Sequence, residues 1–442
     1  MAKRKSPAPE RSDKARRFRI AMLVAIPVLA GILFGQTLNY EFTNWDDNVL
    51  IKDNPQVVSG DIVDIFTPRV GKTYQPVRVL SYAIDHAIWG FNPVAFHAVN
   101  ILFHALAAIM LYLFLAAFFS DVRNGYVAAG VAALLFLVHP VNVESVTWMA
   151  SRKYVLLAFF SFVACYCHLR AEKERTWQWE GLAAMATLGA ILASPFGVVM
   201  PALILLMDYA RAKELNPLPM LKAHWGRYLP HGAMGLGFTI LLVTVLTRGD
   251  GAVSREHQGD SVVYTAFTVL RVMFDYARNL ICPIWLNNRY FHEIAKSLFE
   301  PKVLSALAGL AILGWWVIRE LCKANKMPLF CAGWFFIAWA PVSNIIIPIS
   351  TIMADRYLYL AAVGIFAGLG LLAAKLADKK LAILLLPLLI LGGLTMQRNK
   401  VWANSRALWE DSIRKDDRTA VAHNNLGLVD DAEGNIPVAL ER

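Results

Sequence analysis

Apolar runs of about twenty residues recur along the whole of this 442-residue chain, and they limit its fold more than any other feature. Each run is long enough to cross a ~30 Å hydrocarbon layer as a helix. The chain is 57% apolar and 17% charged, against roughly 45–50% and about 25% in soluble domains. One water-soluble core could not hide that excess, so a soluble enzyme is excluded. The reading is an all-α polytopic membrane protein.

The runs fall at 20–38, 95–119, 125–140, 153–169, 179–193, 195–210, 229–247, 302–319, 328–347, 357–374 and 381–395, which predicts about eleven crossings. Lys and Arg favour cytoplasmic loops, and they test this scheme. With the N-terminus inside, the inner loops hold Arg123, then Arg170, Lys173 and Arg175, then Arg211, Lys213, Lys222 and Arg227, then Arg319, Lys323 and Lys326, and finally Lys375, Lys379 and Lys380. Residues 1–19 form a basic cytoplasmic arm carrying eight Lys/Arg against Glu10 and Asp13. Because that arm abuts an apolar run, it reads as a positive-inside anchor and not as a nucleic-acid tail. Residues 262–284 resist the scheme: Arg271, Asp275 and Arg278 recur there at helical spacing. Charge at the bilayer centre is costly, so this segment is expected to lie on, or dip into, the outer interface.

The transmembrane region thus runs from 20 to 395, with outer loops at 39–94 and 248–301 and a polar helical segment at 396–442 on the outer side. In that last segment Ala420, Leu426, Gly427, Gly434 and Ala439 match positions of a 34-residue tetratricopeptide repeat, although Asp430 stands where Tyr is usual. One partial repeat cannot bury its own apolar face, so the expectation is either an array truncated here or a segment docked on something else, a protein partner among the options. The five cysteines include no CxxC pair and read as buried apolar residues, neither a disulfide framework nor a zinc site.

Chemistry-bearing residues gather in the segments read as outer. Asp46 and Asp47 follow Asn44-Trp45 a few residues after the first apolar run. The pair reads in three ways: a solvated loop, a divalent-cation site, or a catalytic base with a supporting carboxylate. Side chains of adjacent residues diverge, so one is expected to face a cavity and the other to support it. Gln75 and Arg78 precede a helix that carries His97, Asn100 and His104 on one face. His104 reads as interior, and His97, nearer the outer end, as able to touch a cavity. His139, Glu144, Arg152 and Lys153 cluster around a turn begun by Pro140. Arg356, between Asp355 and Tyr357, could pair locally or grip a lipid phosphate with its planar fork. Tyr357 suits an aromatic belt. No Walker loop, dinucleotide fingerprint or HExxH site occurs.

Taken in order, NWDD, TYQPVRVLSYAIDHAIWGFNPVAFHAVNILFHAL, HPVNVESVTWMASRKYVLL, ALILLMDY, ADRYLYLAAVG and VWANSRALWEDSIRKDDRTAVAHNNLG resemble the transmembrane and tetratricopeptide-repeat O-mannosyltransferases, within the membrane glycosyltransferases of the C type. Ser194-Pro195, Ala361-Ala362 and Gln75 depart from that family's commoner Lys-Pro, Pro-Ser and Arg. The resemblance implies a bundle of about eleven membrane helices and a polyprenyl-phosphate sugar donor used on the periplasmic or lumenal side. It also implies a protein hydroxyl as acceptor, with membrane lipids as further partners. Inverting transfer would use Asp46 as base, with Asp47 positioning it or sharing a metal. Arg356, Arg152, Lys153 and Arg78 would bind the donor phosphate. His139, Glu144, Gln75, His97 and Tyr357 would line the sugar or acceptor pocket. The cofactor is left undetermined, with a divalent cation as the option.

Two other classes compete. One is transfer to a lipid, cell-wall polymer or pilin; the other is a transporter or scaffold without catalysis. A transporter should show internal repeats, and none is clear. The absence of an Asn-x-Ser/Thr sequon and the short loops lead to the expectation of a bacterial inner membrane ahead of the endoplasmic reticulum.

Overall fold

The structure is a computed structural model that describes residues 9–70, 73–246, 258–346, 349–376 and 385–441; part of the basic arm (residues 1–8), part of the second outer loop (248–257) and the inner-loop Lys379 and Lys380 lie outside the described residues. Among the described residues the secondary structure is helical, with no strand.

The first helix, Pro9–Phe34, shows why the chain needs lipid. Met22, Ile26, Ala30 and Leu33 are buried along one stripe, while Ile20, Val24, Val28 and Ile32 on the other side are 55–60% exposed. A helix apolar on both faces pairs one face with protein and the other with acyl chains. Ile312, Trp315 and Ile318 do the same on the helix Pro301–Cys322.

Each of the eleven apolar runs maps to helix over most of its length, but among the described residues six helices are long and apolar enough to span, or seven if the bent pair Gly125–Val138 and Pro140–Thr147 counts as one crossing. The expectation of eleven spans is therefore not met by these lengths. Proline explains much of the difference, since it supplies no backbone donor. Pro140 bends one run by 55°. Ser194-Pro195 puts a 3₁₀ segment, Pro195–Val199, between helices Trp177–Ala193 and Met200–Arg211. Pro341 lies in the 3₁₀ turn Ala340–Val342 that follows Met327–Trp339. Helices of 12–17 residues reach only about 18–26 Å at ~1.5 Å per residue, so they need neighbours to complete the thickness of the bundle. The charged helix Val262–Ile281 is not among the helices long and apolar enough to span.

The centre of the bundle is Gly125–Val138, almost wholly buried between Pro93–Phe118 and Leu358–Leu376. Small residues permit this approach: a methyl added at Gly370 would strike the Ala128 carbonyl, and one at Gly364 the Cys331 carbonyl. Within the core, His104 Nδ1 meets the Tyr359 hydroxyl at 2.6 Å and Nε2 the Leu137 carbonyl at 3.3 Å.

Arg152 is a buried hub, and its expected phosphate role is corrected here. Its side chain is 0% exposed and meets Asp85 at 2.5 Å. It donates to the Asn100 Oδ1 at 2.7 Å, the Phe96 carbonyl at 3.0 Å and the Ser81 carbonyl at 3.2 Å, and its guanidinium lies 4.6 Å from the Tyr82 ring centre. With its donors spent on protein acceptors, it ties the helix Pro76–Trp89 to Pro93–Phe118. Arg152→Met is expected to cost about 3–5 kcal/mol, because it strands the Asp85 carboxylate away from water. Adding Asp85→Leu should recover most of that loss. Denaturant unfolding in detergent would show a loss without recovery if Arg152 acted by packing alone.

Candidate active site

Beyond the first helix the chain makes a 3₁₀ turn, Gly35–Asn39, then an extended stretch into Asn44-Trp45-Asp46-Asp47. The two aspartates diverge. Asp47 is 0% exposed, and its Oδ2 accepts from the Thr43 amide and hydroxyl, each at 2.8 Å, while Oδ1 accepts from the Ala150 amide at 2.9 Å. Burial pushes its carboxyl up to about 6, against the pull of the Thr43 and Ala150 donors and with a small further push from Asp46. Asp47 therefore fastens the first loop to the turn 149–151.

Asp46 is half-buried, and no protein donor holds its carboxylate among the described residues. Arg78, Lys153 and Arg289 share its electrostatic field. Arg356 shares that of Lys153 and Arg289. Arg78 is 3% exposed and its Nε lacks a partner, as does the buried Gln75 Oε1. Burial is the largest effect lowering the pKa of both Arg78 and Arg289, and Arg356 lowers Arg289 further; Asp46 opposes the shift in each. Crowded, desolvated cations with one carboxylate beside them disfavour one another's charged forms.

Aromatic rings give the cluster its walls. The Arg356 guanidinium lies 5.5 Å from the Trp45 ring, 5.4 Å from Trp148 and 5.2 Å from Tyr357. Trp45 and Trp148 stack at 4.2 Å. The Lys153 ammonium sits 5.1 Å from the Tyr154 ring and 5.7 Å from that of Phe196. Glu144 grips Arg356 twice, through its guanidinium and by accepting from its backbone amide at 2.9 Å.

Several sequence expectations change here. Glu144 is buried against Arg356, so it orients that cation and does not line a sugar pocket. His139 is buried with both ring nitrogens engaged, Nδ1 by the Val141 amide at 3.2 Å and Nε2 by the Leu280 carbonyl at 3.0 Å. His97 is buried beside the Tyr40 ring, with Arg152 as its charged neighbour, and does not join the Asp46 group. Asp47, spent on three donors, offers little to a metal. Among the described residues no three His, Cys, Asp or Glu side chains gather as a metal site, and this acid–cation set does not fit a divalent cation. Arg289 is the residue the sequence did not reveal: one arginine in the segment 282–296, distinguished only by the fold that brings it to Arg356.

Two grooves lie elsewhere. One of about 1090 Å³ runs among Val262–Ile281, Pro301–Cys322, Met327–Trp339 and Leu358–Leu376, lined by apolar residues such as Met273, Ala306, Leu313 and Phe335. The other, about 590 Å³, lies in the C-terminal helices beside His423, Asn424 and Leu428.

Fold and site together define a multi-pass membrane protein with buried basic residues gathered beside one carboxylate. No family model matches the chain. It is similar to human protein O-mannosyl-transferase TMTC4, with 25% identity covering 93% of this chain and 64% of that protein. Human protein O-mannosyl-transferase TMTC3 is 23% identical over 84% of this chain and 44% of its own length. A stretch of 176 residues is 32% identical to mouse protein O-mannosyl-transferase TMTC2, covering 36% of this chain and 20% of that one. The homologues are thus protein O-mannosyl-transferases, in agreement with the motifs, and the chain spans less than two thirds of the length of the first two. The crystal structure of ArnT from Cupriavidus metallidurans bound to undecaprenyl phosphate aligns with a TM-score of 0.46 at 14% identity, over 95% of this chain and 73% of that one. The apo oligosaccharyltransferase of Archaeoglobus fulgidus aligns at 0.45 and 12% identity, over 92% and 59%. The relatives named are animal proteins, which lends no support to a bacterial inner membrane.

The raised Asp47 carboxyl gives a pH signature. Its contribution to stability is full below about 3.8 and is lost as pH rises through about 6. The melting temperature of wild type relative to Asp47→Asn should therefore climb as pH falls from 7 to 4. The opposite slope would mean that its three donors outweigh burial.

Proposed function

We propose that this chain is a glycosyltransferase that moves a sugar from a polyprenyl-phosphate carrier to a protein hydroxyl on the periplasmic or lumenal side of a membrane. The observation that carries the reading is the Asp46 carboxylate, without a protein donor among the described residues and beside Arg78, Lys153 and Arg289, the last two of which also neighbour Arg356. The names of the homologues support sugar transfer to protein.

The chemistry follows from that arrangement. The acceptor oxygen attacks the anomeric carbon as its proton passes to Asp46, which acts as general base. The bond from that carbon to the phosphate oxygen breaks, and its electron pair leaves with the polyprenyl phosphate. Negative charge grows on the departing phosphate, where preoriented cations stabilise the transition state more than the ground state. A single displacement inverts the anomeric centre. Arg356 is held for this work by Glu144, and Gln75 and Tyr357 border the pocket. The apolar groove of about 1090 Å³ would take the carrier's chain. With four cations at hand, the leaving phosphate needs no metal.

The test is transfer from a panel of radiolabelled polyprenyl-phosphate sugars to membrane proteins and to added lipid acceptors. Asp46→Asn should lower kcat by roughly 10²–10⁴-fold, the usual share of a general base. Arg289→Ala should slow transfer, and EDTA should leave it unchanged. Full activity in Asp46→Asn would overturn the base assignment, and inhibition by EDTA the metal-free scheme. Label found only in lipid would move the acceptor out of the protein class.

A further inference from the structure

The C-terminal helices Ser405–Lys415 and Ala420–Ala432 do more than extend the chain beyond the bundle. They hold the first loop two residues from Asp46. The Trp409 indole donates to Asn44 Oδ1 at 2.6 Å, the Asn44 amide donates to the Ser405 hydroxyl at 2.8 Å, and the Asn44 side-chain amide donates to the Asn425 carbonyl at 2.9 Å. Glu41 donates its amide to the Ala403 carbonyl at 3.0 Å. Trp409 is 0% exposed, and its ring sits edge-on to Trp45 at 5.6 Å. Every side-chain polar atom of Asn44 thus has its partner in one C-terminal segment.

The same helices grip the far side of the pocket. Lys415, 19% exposed at its side chain, donates to the Leu286 carbonyl at 2.5 Å, three residues before Arg289, and pairs with Asp411 at 2.6 Å. Asp411 is in turn held by Arg398 at 2.7 Å. Arg418 meets Glu293 at 2.9 Å, but that pair is exposed and contributes little. The segment with the carboxylate and the segment with the fourth cation are far apart in sequence, and one element touches both.

We propose that these helices are a positioning part of the reaction site: through Asn44–Trp409 on one side and Lys415–Leu286 on the other, they set the separation between Asp46 and Arg289. The proposal rests on the transferase reading. It makes Asn44, Trp409 and Lys415 positioning residues, none of them touching substrate. An ordinary stabilising contact would affect how much protein folds, whereas a positioning contact affects the rate of the folded protein.

The test uses the full chain in native membranes or detergent. Trp409→Phe keeps an aromatic ring and removes the indole donor together with some buried volume; Asn44→Ala removes its acceptor and the donor to Asn425. In folded protein, Trp409→Phe should lower kcat on the order of tenfold with little change in donor KM, since small misplacements of a reacting group cost rate. The two losses should be clearly less than additive in the double variant, because the bond they share is already gone in either single. Hydrogen–deuterium exchange over residues 43–50 should quicken in Trp409→Phe, while exchange over Pro93–Phe118 stays unchanged. Unchanged exchange in the first loop would overturn the clamp, whatever the activity. Faster exchange with an unaltered kcat would overturn the positioning role and leave a structural contact. If wild type transfers nothing from any donor, the transferase reading fails, and the exchange result decides the clamp by itself.

Discussion

The outer half of this molecule depends on the buried carboxylate of Asp47. By accepting from Thr43 at one oxygen and from Ala150 at the other, it closes the first loop on itself and fastens that loop to the turn before Arg152–Glu174. The neighbouring Asp46 takes no part in these bonds and is half-buried without a protein donor among the described residues. Burying a carboxylate is costly, and three donors at 2.8–2.9 Å offset part of that cost. The loop also meets the stacked Trp45 and Trp148, which place an aromatic wall under Arg356.

The basic residues near the pocket divide by what neutralises them. Arg152 meets Asp85 and spends its donors on neighbouring carbonyls and amides, so it holds helices together. Arg356 is ion-paired with the buried Glu144, which also accepts from its backbone amide and so fixes its direction. Arg78, Lys153 and Arg289 have no carboxylate ion pair among the described residues, and Asp46 is the acid they share. Three basic residues beside one open carboxylate, next to the Arg356–Glu144 pair, are an unbalanced set.

Much of this was legible in the residues alone. Each apolar run became helical over most of its length, because period and composition act over a few turns. His104 pointed into the bundle, as its place on a polar stripe required. The count of spans was not legible, since Pro140, Pro195 and Pro341 divide or shorten runs that look continuous by composition. Glu144 and His139 looked like pocket residues by their clustering. They proved to be satisfied by Arg356, Val141 and Leu280, partners that are distant in sequence or drawn from the backbone.

What the sequence determined by itself was the membrane class, the helical architecture and the divergence of two adjacent aspartates, each set by local geometry and by the cost of apolar surface in water. What the tertiary structure decided was which cations are free to act. Arg152 and Arg289 carry the same side chain; one is spent against Asp85, and the other is delivered beside Arg356 by a segment that the C-terminal helices contact. A charge acts through its neighbours within a few ångströms, and those neighbours are chosen by packing between segments hundreds of residues apart.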